Sequence, residues 1–143
     1  MHSFDTVIQK LRENGFKLTP QRLAIIKYME GNKNHPHALK IHKDLKRRYP
    51  TLSFSTVYNT LNMLEKIGEI TSLNIVDEYV NFDPNTSPHI HFYCERCHTI
   101  KDIFLDEVNG LSIPMDELNG NIVKSAQITL RGICSDCRKK GVG

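Results

Sequence analysis

Apolar residues recur every three or four positions through the first half of the chain, the period of an α-helix with one buried face. Four such stretches occur within residues 1–67. Their apolar positions are Phe4, Val7, Ile8 and Leu11; Leu23, Ile26 and Met29; Ala38, Ile41 and Leu45; and Val57, Leu61, Leu64 and Ile67. The pattern therefore predicts four helices.

Residues typical of helix ends separate these stretches. Thr19-Pro20 supplies an N-cap and a favoured first residue for the second helix, and Ser53 or Ser55 caps the fourth. The chain breaks each pattern at its far end with Asn14-Gly15, Gly31-Asn32, Tyr49-Pro50 and Gly68. The predicted helices are therefore all short.

Beyond Gly68 the period changes to that of strands. The runs EITSL and EYVNF, around Asn74 and Asp77, predict a hairpin, and helices followed by a hairpin are typical of a winged helix-turn-helix. HIHFYC, TIKDIF and QITLRGI alternate as half-buried strands, whereas DEVNGLSIPMDELNGN contains Pro and Gly and allows only a short helix. Residues 77–88, which include Asp83, read as a linker zone.

We therefore predict an α+β fold of two domains. Residues 1–82 would form a winged-helix DNA-binding domain, and residues 83–143 a small α/β domain for dimerisation and metal binding. Residues 1–72 hold twelve Lys/Arg and six Asp/Glu, a balance of +6, whereas residues 73–143 hold seven and ten, a balance of −3. A basic half beside an acidic half favours polyanion binding by the first, although solvated helix faces would give the same count.

The polar face of the fourth predicted helix carries short side chains that can reach base edges in a major groove. These residues are Ser55, Thr56, Tyr58, Asn59 and Asn62. The chain has no apolar run of about 20 residues, and MHSFDTVIQK lacks the layout of a signal peptide, so we expect a cytoplasmic protein with no membrane partner.

All four cysteines fall into two knuckles, Cys94-x-x-Cys97 and Cys134-x-x-Cys137, with 36 residues between them. Cytosolic thiols are kept reduced, so metal binding is favoured over disulfides. Two knuckles brought together supply four thiolates with no open position, the closed form of structural zinc site. Four buried or free cysteines are the alternative.

A second donor set lies beside the first knuckle. His89 and His91 are two apart on a predicted strand, so their side chains leave the same face, and Asp102 on the next strand can meet them. Imidazole with carboxylate suits Fe²⁺, Mn²⁺ or Zn²⁺. A packed or exposed histidine pair is the other reading. Further candidates upstream are His35, His37 and Asp83.

These motifs resemble the ferric uptake regulator family along nearly the whole chain. The matching segments, in family order, are LTPQR at 18–22, HPHA at 35–38, STVYNTL at 55–61, NFD at 81–83, HIHFYCERC at 89–97 and CSDC at 134–137. The chain is most similar to the peroxide-responsive branch, because Asp102 and Asn59 stand where the iron-uptake branch usually has Glu and often Arg.

The resemblance implies one structural Zn²⁺ and one regulatory Fe²⁺ or Mn²⁺ per subunit. The regulatory ligands would be His35, Asp83, His89, His91 and Asp102, although His37 leaves open which histidine of HPHA is used. It also implies a homodimer that binds a palindromic DNA operator, with Arg22, Tyr58 and Asn59 among the DNA contacts.

The implied activity is repression released by hydrogen peroxide, when iron-catalysed oxidation modifies His35 or His89 and the ligand set fails. The protein would be consumed, so it is not expected to be an enzyme. An iron-uptake repressor is the main alternative. A non-haem iron oxygenase and a thiol redox sensor are less favoured, because the basic half and the closed zinc site argue against them.

Overall fold

The computed structural model describes residues 1–76, 79–108, 110–112, 114 and 116–141. These residues divide into two compact units, Met1–Thr86 and Ser87–Gly143. The division into a DNA-binding domain ending at residue 82 and a dimerisation and metal-binding domain beginning at residue 83 stays a prediction. Asp83 nevertheless belongs to the first compact unit.

The first unit contains four helices and a two-stranded hairpin. The helices are α1 (Phe4–Glu13), α2 (Pro20–Met29), α3 (Ala38–Lys46) and α4 (Phe54–Lys66), and the strands are β1 (Thr71–Val76) and β2 (Tyr79–Asp83). The four predicted helices and the hairpin are confirmed. Each apolar stripe has the period of the helix that carries it, which is why the sequence pattern located all four.

Side-chain caps begin these helices where the sequence places them. The hydroxyls of Thr19 and Ser53 accept hydrogen bonds from the backbone amides of Arg22 and Thr56. Pro20 occupies the first turn of α2, where a missing amide hydrogen costs nothing. Gly68, just past α4, has a φ of 79°, the left-handed conformation that closes a helix.

Helices α2 and α3 both pack against α4, and together with α1 they enclose one apolar core. The fully buried members include Leu11, Ile25, Ile41, Leu61 and Leu64. Phe82 joins the same core from the hairpin, so the wing is anchored on the helices. The first unit is thus a winged helix-turn-helix with α4 as its last helix.

Strands β1 and β2 are antiparallel, with Thr71 opposite Asp83 and Leu73 opposite Asn81. Asn74 lies within β1, so its prediction as part of the turn is wrong; Asp77 lies outside the described residues. Asp83 is the last residue of β2, and its prediction as a linker residue is wrong too. Its backbone is therefore fixed by the strand pairing.

The second unit is built on a three-stranded sheet in the order β4-β3-β7. Its strands are β3 (Ile90–Cys94), β4 (Ile100–Ile103) and β7 (Thr129–Gly132), and all three were predicted. β4 pairs antiparallel with β3 and β7 pairs parallel with it. The sheet thereby brings residues from both ends of the unit onto the central strand.

Smaller elements complete the second unit. After β4, where the sequence allowed only a short helix, a 3-10 turn spans Leu105–Glu107. The hairpin of β5 (Glu117–Leu118) and β6 (Asn121–Ile122) and the helix α5 (Ser135–Lys139) were not predicted. Each spans only two to five residues, which is too short for a periodic pattern to register.

Within the described residues, none of the helices is both long and apolar enough to cross a membrane.

Candidate metal centres

The two cysteine knuckles meet at one end of the sheet in the second unit. Cys94 ends β3, and Cys134 and Cys137 lie at the start of α5, which follows directly from the parallel partner strand β7. The Sγ atoms of Cys94 and Cys137 are 3.8 Å apart, and so are those of Cys97 and Cys134. None of the four forms a disulfide.

These separations fit zinc. A tetrahedron with zinc–sulfur bonds of about 2.3 Å has sulfur–sulfur edges of about 3.8 Å, the spacing of both pairs. All four Sγ atoms lie within 4.8 Å of one another, and Cys94, Cys134 and Cys137 are buried. The cluster is a closed Cys₄ zinc site, and the predicted cofactor of the knuckles is confirmed.

Backbone amides support the thiolate of Cys94. Hydrogen bonds from the amides of Cys134 and Cys97, 3.4 Å and 3.5 Å from Sγ, lower the pKa of Cys94 to about 6. Burial among the other sulfurs raises the pKa of Cys137 to about 12. The site therefore presents a ready thiolate on the first knuckle, and ligation by zinc would displace the proton from Cys137.

The second donor set within this unit comprises His89, His91 and Asp102. His91 lies directly opposite Asp102 in the β3–β4 register, and His89 immediately precedes β3. The Nε2 atoms of the two histidines are 3.0 Å apart, and they lie 3.4 Å and 3.5 Å from Oδ1 of Asp102. The predicted meeting of these three side chains is confirmed.

The tautomer of His89 is fixed by a backbone carbonyl. Its Nδ1 lies 2.6 Å from the carbonyl oxygen of Ser87, and because a carbonyl can only accept, Nδ1 carries the hydrogen. A neutral ring of this tautomer has its Nε2 lone pair available for a metal ion. A metal-binding histidine is commonly oriented in this way through its other ring nitrogen.

In the first unit, the side chains of His35 and Asp83 face each other. Nε2 of His35 lies 3.5 Å from Oδ2 of Asp83, and both side chains are almost completely buried. Asp83 also accepts a hydrogen bond from the amide of Asn85 at 2.8 Å. An imidazole and a carboxylate buried together are metal donors of the same chemistry as the set in the second unit.

His37 has a different part. Its Nδ1 accepts the amide hydrogen of Lys40 at 3.1 Å and so caps α3, and its ring stacks on Tyr79 with 4.4 Å between centroids. Burial, followed by the nearby Lys40, lowers the pKa of His37 and keeps the ring neutral as a cap must be. The sequence alone does not show which histidine of HPHA is the better candidate for a metal ligand. In the structure, His35 faces the carboxylate of Asp83, whereas His37 caps α3.

Ligand atoms within each set are 3.0–3.5 Å apart. This spacing matches neighbouring ligands around an ion with bonds of about 2.1 Å, the length that imidazole and carboxylate make to divalent first-row metals. Imidazole and carboxylate donors fit iron or manganese, in contrast to the sulfur donors of the zinc site. The two predicted cofactors therefore have separate, chemically distinct donor sets.

The predicted DNA-contact residues lie on α4 and α2. Ser55, Tyr58 and Asn59 are exposed, and Thr56 is partly exposed. Thr56 and Asn59 line one shallow groove together with Arg22 of α2 and with Lys17 and Thr19, which precede that helix. The guanidinium of Arg22 donates to the carbonyl of Lys17. The groove combines short polar side chains with two cations.

A winged helix joined to a unit with a Cys₄ zinc site and an imidazole–carboxylate cluster defines a class of metal-dependent regulator. The model of the ferric uptake regulator family matches residues 13–131, and the chain belongs to that family.

Several relatives respond to peroxide. The chain is 35% identical over 142 residues to the peroxide operon regulator of Bacillus subtilis, covering 97% of this chain and 96% of that protein. A structure of PerR from Streptococcus pyogenes, described as a basis for peroxide sensing and gene regulation, is 32% identical, covers 96% of this chain and 94% of its own, and has a TM-score of 0.56.

An iron-bound ferric uptake regulator from Francisella tularensis is 29% identical, covers 87% of this chain and 96% of its own, and has a TM-score of 0.69. These relatives are regulators, and several of them, at 32–35% identity, are peroxide-responsive repressors.

Proposed function

We propose that this chain is a metal-dependent transcriptional repressor that senses hydrogen peroxide. The observation that carries the proposal is the occurrence of two buried imidazole–carboxylate sets, His35 with Asp83 in the first unit and His89 and His91 with Asp102 in the second. One divalent ion that takes ligands from both sets would join the DNA-binding unit to the second unit. The similarity to peroxide-responsive repressors supports this assignment.

DNA binding would use the exposed face of α4 in a major groove. Ser55, Thr56, Tyr58 and Asn59 present hydroxyl and amide groups suited to base edges, while Arg22 contacts a phosphate. The excess of +6 over residues 1–72 supplies the attraction to the backbone. Regulators of this family bind DNA and act as dimers, and a homodimer would present two α4 helices to a palindromic operator.

The regulatory ion would act through differential binding. An ion that binds only the arrangement in which both ligand sets converge stabilises that arrangement, and DNA affinity follows by linkage. A near-complete switch requires a preference of about 5 kcal/mol. Five ligands, two from the first unit and three from the second, would supply that preference.

Peroxide sensing would depend on the ligand histidines. Bound Fe²⁺ supplies one-electron chemistry toward hydrogen peroxide, which Mn²⁺ does not. In the net reaction, one oxygen of hydrogen peroxide would be inserted at the imidazole carbon between the two nitrogens of His35 or His89. The hydrogen of that carbon would move to a ring nitrogen, and the other peroxide oxygen would leave as water. The resulting 2-oxo-histidine would be a poor ligand, so the regulatory ion would be lost from its site and the DNA would be released.

The test is DNA binding by the Fe²⁺ and Mn²⁺ forms before and after brief peroxide treatment. The probe is a duplex selected from a random pool by the Mn²⁺ form, and binding is followed by fluorescence anisotropy. We expect peroxide to abolish binding by the Fe²⁺ form alone, with a mass gain of one oxygen on a peptide containing His35 or His89.

Asp102→Glu is the variant to compare with the wild type, because it keeps the carboxylate and only lengthens the side chain by one methylene group. It should retain Fe²⁺-dependent DNA binding with altered sensitivity to peroxide. If Fe²⁺-dependent DNA binding by the wild-type protein survives peroxide treatment and no mass gain is found, the result would support the iron-uptake repressor instead.

A further inference from the structure

His35 has a backbone conformation that side chains rarely adopt. Its φ is 50°, in the left-handed region, where a residue with a Cβ is less stable than glycine. Asn, Asp and His occur there more often than other side chains, but for each of them the conformation still costs free energy relative to glycine. The conformation therefore requires contacts from the surrounding structure.

Those contacts come from strand β2. The side-chain amide of Asn81 donates from Nδ2 to the carbonyl oxygen of His35 at 2.7 Å, in a fully buried hydrogen bond. The amide of Phe82 donates to the carbonyl of Pro36 at 2.9 Å, and His37 forms a β-bridge with Asn81. The segment 35–37 is thus held along the hairpin like a short extra strand.

The same strand carries the carboxylate that faces His35. Asn81 and Asp83 are two residues apart on β2, so their side chains leave the same face of the strand. Asn81 holds the backbone of His35, and Asp83 meets its imidazole at 3.5 Å. One strand therefore fixes both the orientation of the ring and the position of its carboxylate neighbour.

The other polar atom of the Asn81 side chain indicates that this residue is needed for the hydrogen bond that it donates. Its Oδ1 is buried and has no hydrogen-bond partner among the described residues. An unsatisfied buried carbonyl is destabilising, so an apolar side chain would serve the core better. What an apolar side chain lacks is a donor for the carbonyl of His35.

The geometry points to Asn81 as a positioning residue that holds His35 in its left-handed conformation and thereby sets the affinity of the regulatory metal site. The inference rests on the proposed function in one respect, namely that His35 is a ligand. Asn81 itself contacts no metal, and its effect passes through the backbone of His35.

The test compares Mn²⁺ affinities of the zinc-loaded full chain by chelator competition. Asn81→Asp keeps the shape but turns a carboxylate toward the carbonyl of His35, and Asn81→Ala removes the side chain. Both should weaken Mn²⁺ binding by 10- to 100-fold, the range for residues that orient a ligand, with one zinc still bound per chain. The Co²⁺ absorption spectrum should change in intensity or position as the His35 ligand shifts.

Thr60→Val is the matched control for lost stability. Thr60 is buried in α4 of the same unit, and its hydroxyl donates to the carbonyl of Thr56, away from His35. This variant should lower the melting temperature while leaving Mn²⁺ affinity unchanged. A loss of Mn²⁺ affinity in Thr60→Val as large as in the Asn81 variants would overturn the inference.

The His35→Ala background separates the inference from the proposed function. If Asn81 acts through His35, Asn81→Asp should cause no further loss of Mn²⁺ affinity there; an equal further loss contradicts the inference. If His35→Ala alone leaves Mn²⁺ affinity intact, the ligand assignment in the proposed function fails.

Should the Asn81 variants not fold, hydrogen exchange at Nδ2 of Asn81 in the metal-free wild-type protein decides the matter. Slow exchange is expected, and rapid exchange would refute a standing hydrogen bond to His35.

Discussion

Lys10 and Glu69 form an ion pair in the first unit, with 3.1 Å between Nζ and Oε1; the side chain of Glu69 is only 1% exposed, whereas that of Lys10 is 39% exposed. The backbone amide of His2 donates to the other carboxylate oxygen at 2.8 Å, and Lys10 also donates to the carbonyl of Ile67 at 2.6 Å. Helix α1 is thereby attached to the segment between α4 and β1. No pattern in the sequence indicated this contact.

Stability should fall in acid because of Glu69. Burial acts to raise the pKa of Glu69, but hydrogen bonds from His2 and Lys10 outweigh it and the pKa lies below 4.5. A carboxyl with a depressed folded pKa stabilises the native state at neutral pH, and that contribution is lost as pH falls through the folded value. We expect denaturant midpoints to decline below pH 4.5.

Glu69→Gln should remove the contribution of Glu69 to this dependence and lower the free energy of unfolding by about 1 kcal/mol at pH 7, because Lys10, whose side chain is 39% exposed, loses its charged partner. Urea unfolding at several pH values measures both effects. Glu65→Gln, at an exposed position whose carboxylate accepts a hydrogen bond from Ser72, is the control. An equal change in the two variants would contradict the role assigned to Glu69.

Removing zinc should unfold the second unit selectively. Structural zinc contributes on the order of 10 kcal/mol to small metal-bound domains, more than a unit of this size gains from its sheet. Cys137→Ser should therefore lose zinc and the dispersed NMR signals of β3, β4 and β7, whereas helical circular dichroism from the first unit persists. Ser135→Ala, at an exposed position within the second knuckle, should keep both zinc and signals.

Substitutions of the two histidines of HPHA, His35 and His37, should affect metal affinity differently. His35→Ala should weaken Mn²⁺ binding by at least 100-fold because an inner ligand is lost. His37→Ala should cost about 1 kcal/mol of stability through the lost cap of α3 and leave Mn²⁺ affinity within a few-fold. Chelator competition and thermal melting measure the two effects, and the reverse pattern would assign the metal to His37.

Contacts with DNA should divide into backbone and base types. Arg22→Ala should weaken binding to all duplexes alike and reduce the slope of affinity against salt by about one, as for a phosphate contact. Asn59→Ala should cost about 1–3 kcal/mol on the selected duplex and relax the preference at one base position. Binding at several salt concentrations distinguishes them, and an Arg22 effect restricted to one sequence would contradict its assignment.

The features that the sequence predicted are those governed by local chemistry. Helix period, the cap at Thr19 and the spacing of each cysteine knuckle depend on neighbouring residues, and all appear in the structure. The sequence left Ser53 and Ser55 open as the cap of α4, and the structure shows that it is Ser53. The pairing of His91 with Asp102 follows from alternation on two adjacent strands. These features required no knowledge of distant packing.

The features that the sequence missed depend on long-range contacts. Asp83 was expected in a linker, but pairing with Thr71 extends β2 to include it. The difference between His35 and His37 depends on Asn81 and Tyr79, more than 40 residues away. Helix α5 follows from the closure of the cysteine cluster rather than from its own five residues.

The parallel pairing of β3 with β7 has a consequence for biosynthesis. The first unit is assembled mostly from neighbouring helices and can fold as soon as Thr86 has left the ribosome. The second unit cannot complete its zinc site before Cys137 emerges. The thiols of Cys94 and Cys97 therefore stay exposed to solvent while some forty further residues are translated. During that interval the nascent protein is vulnerable to oxidants and to competing metals, and its maturation should depend on how promptly zinc is delivered.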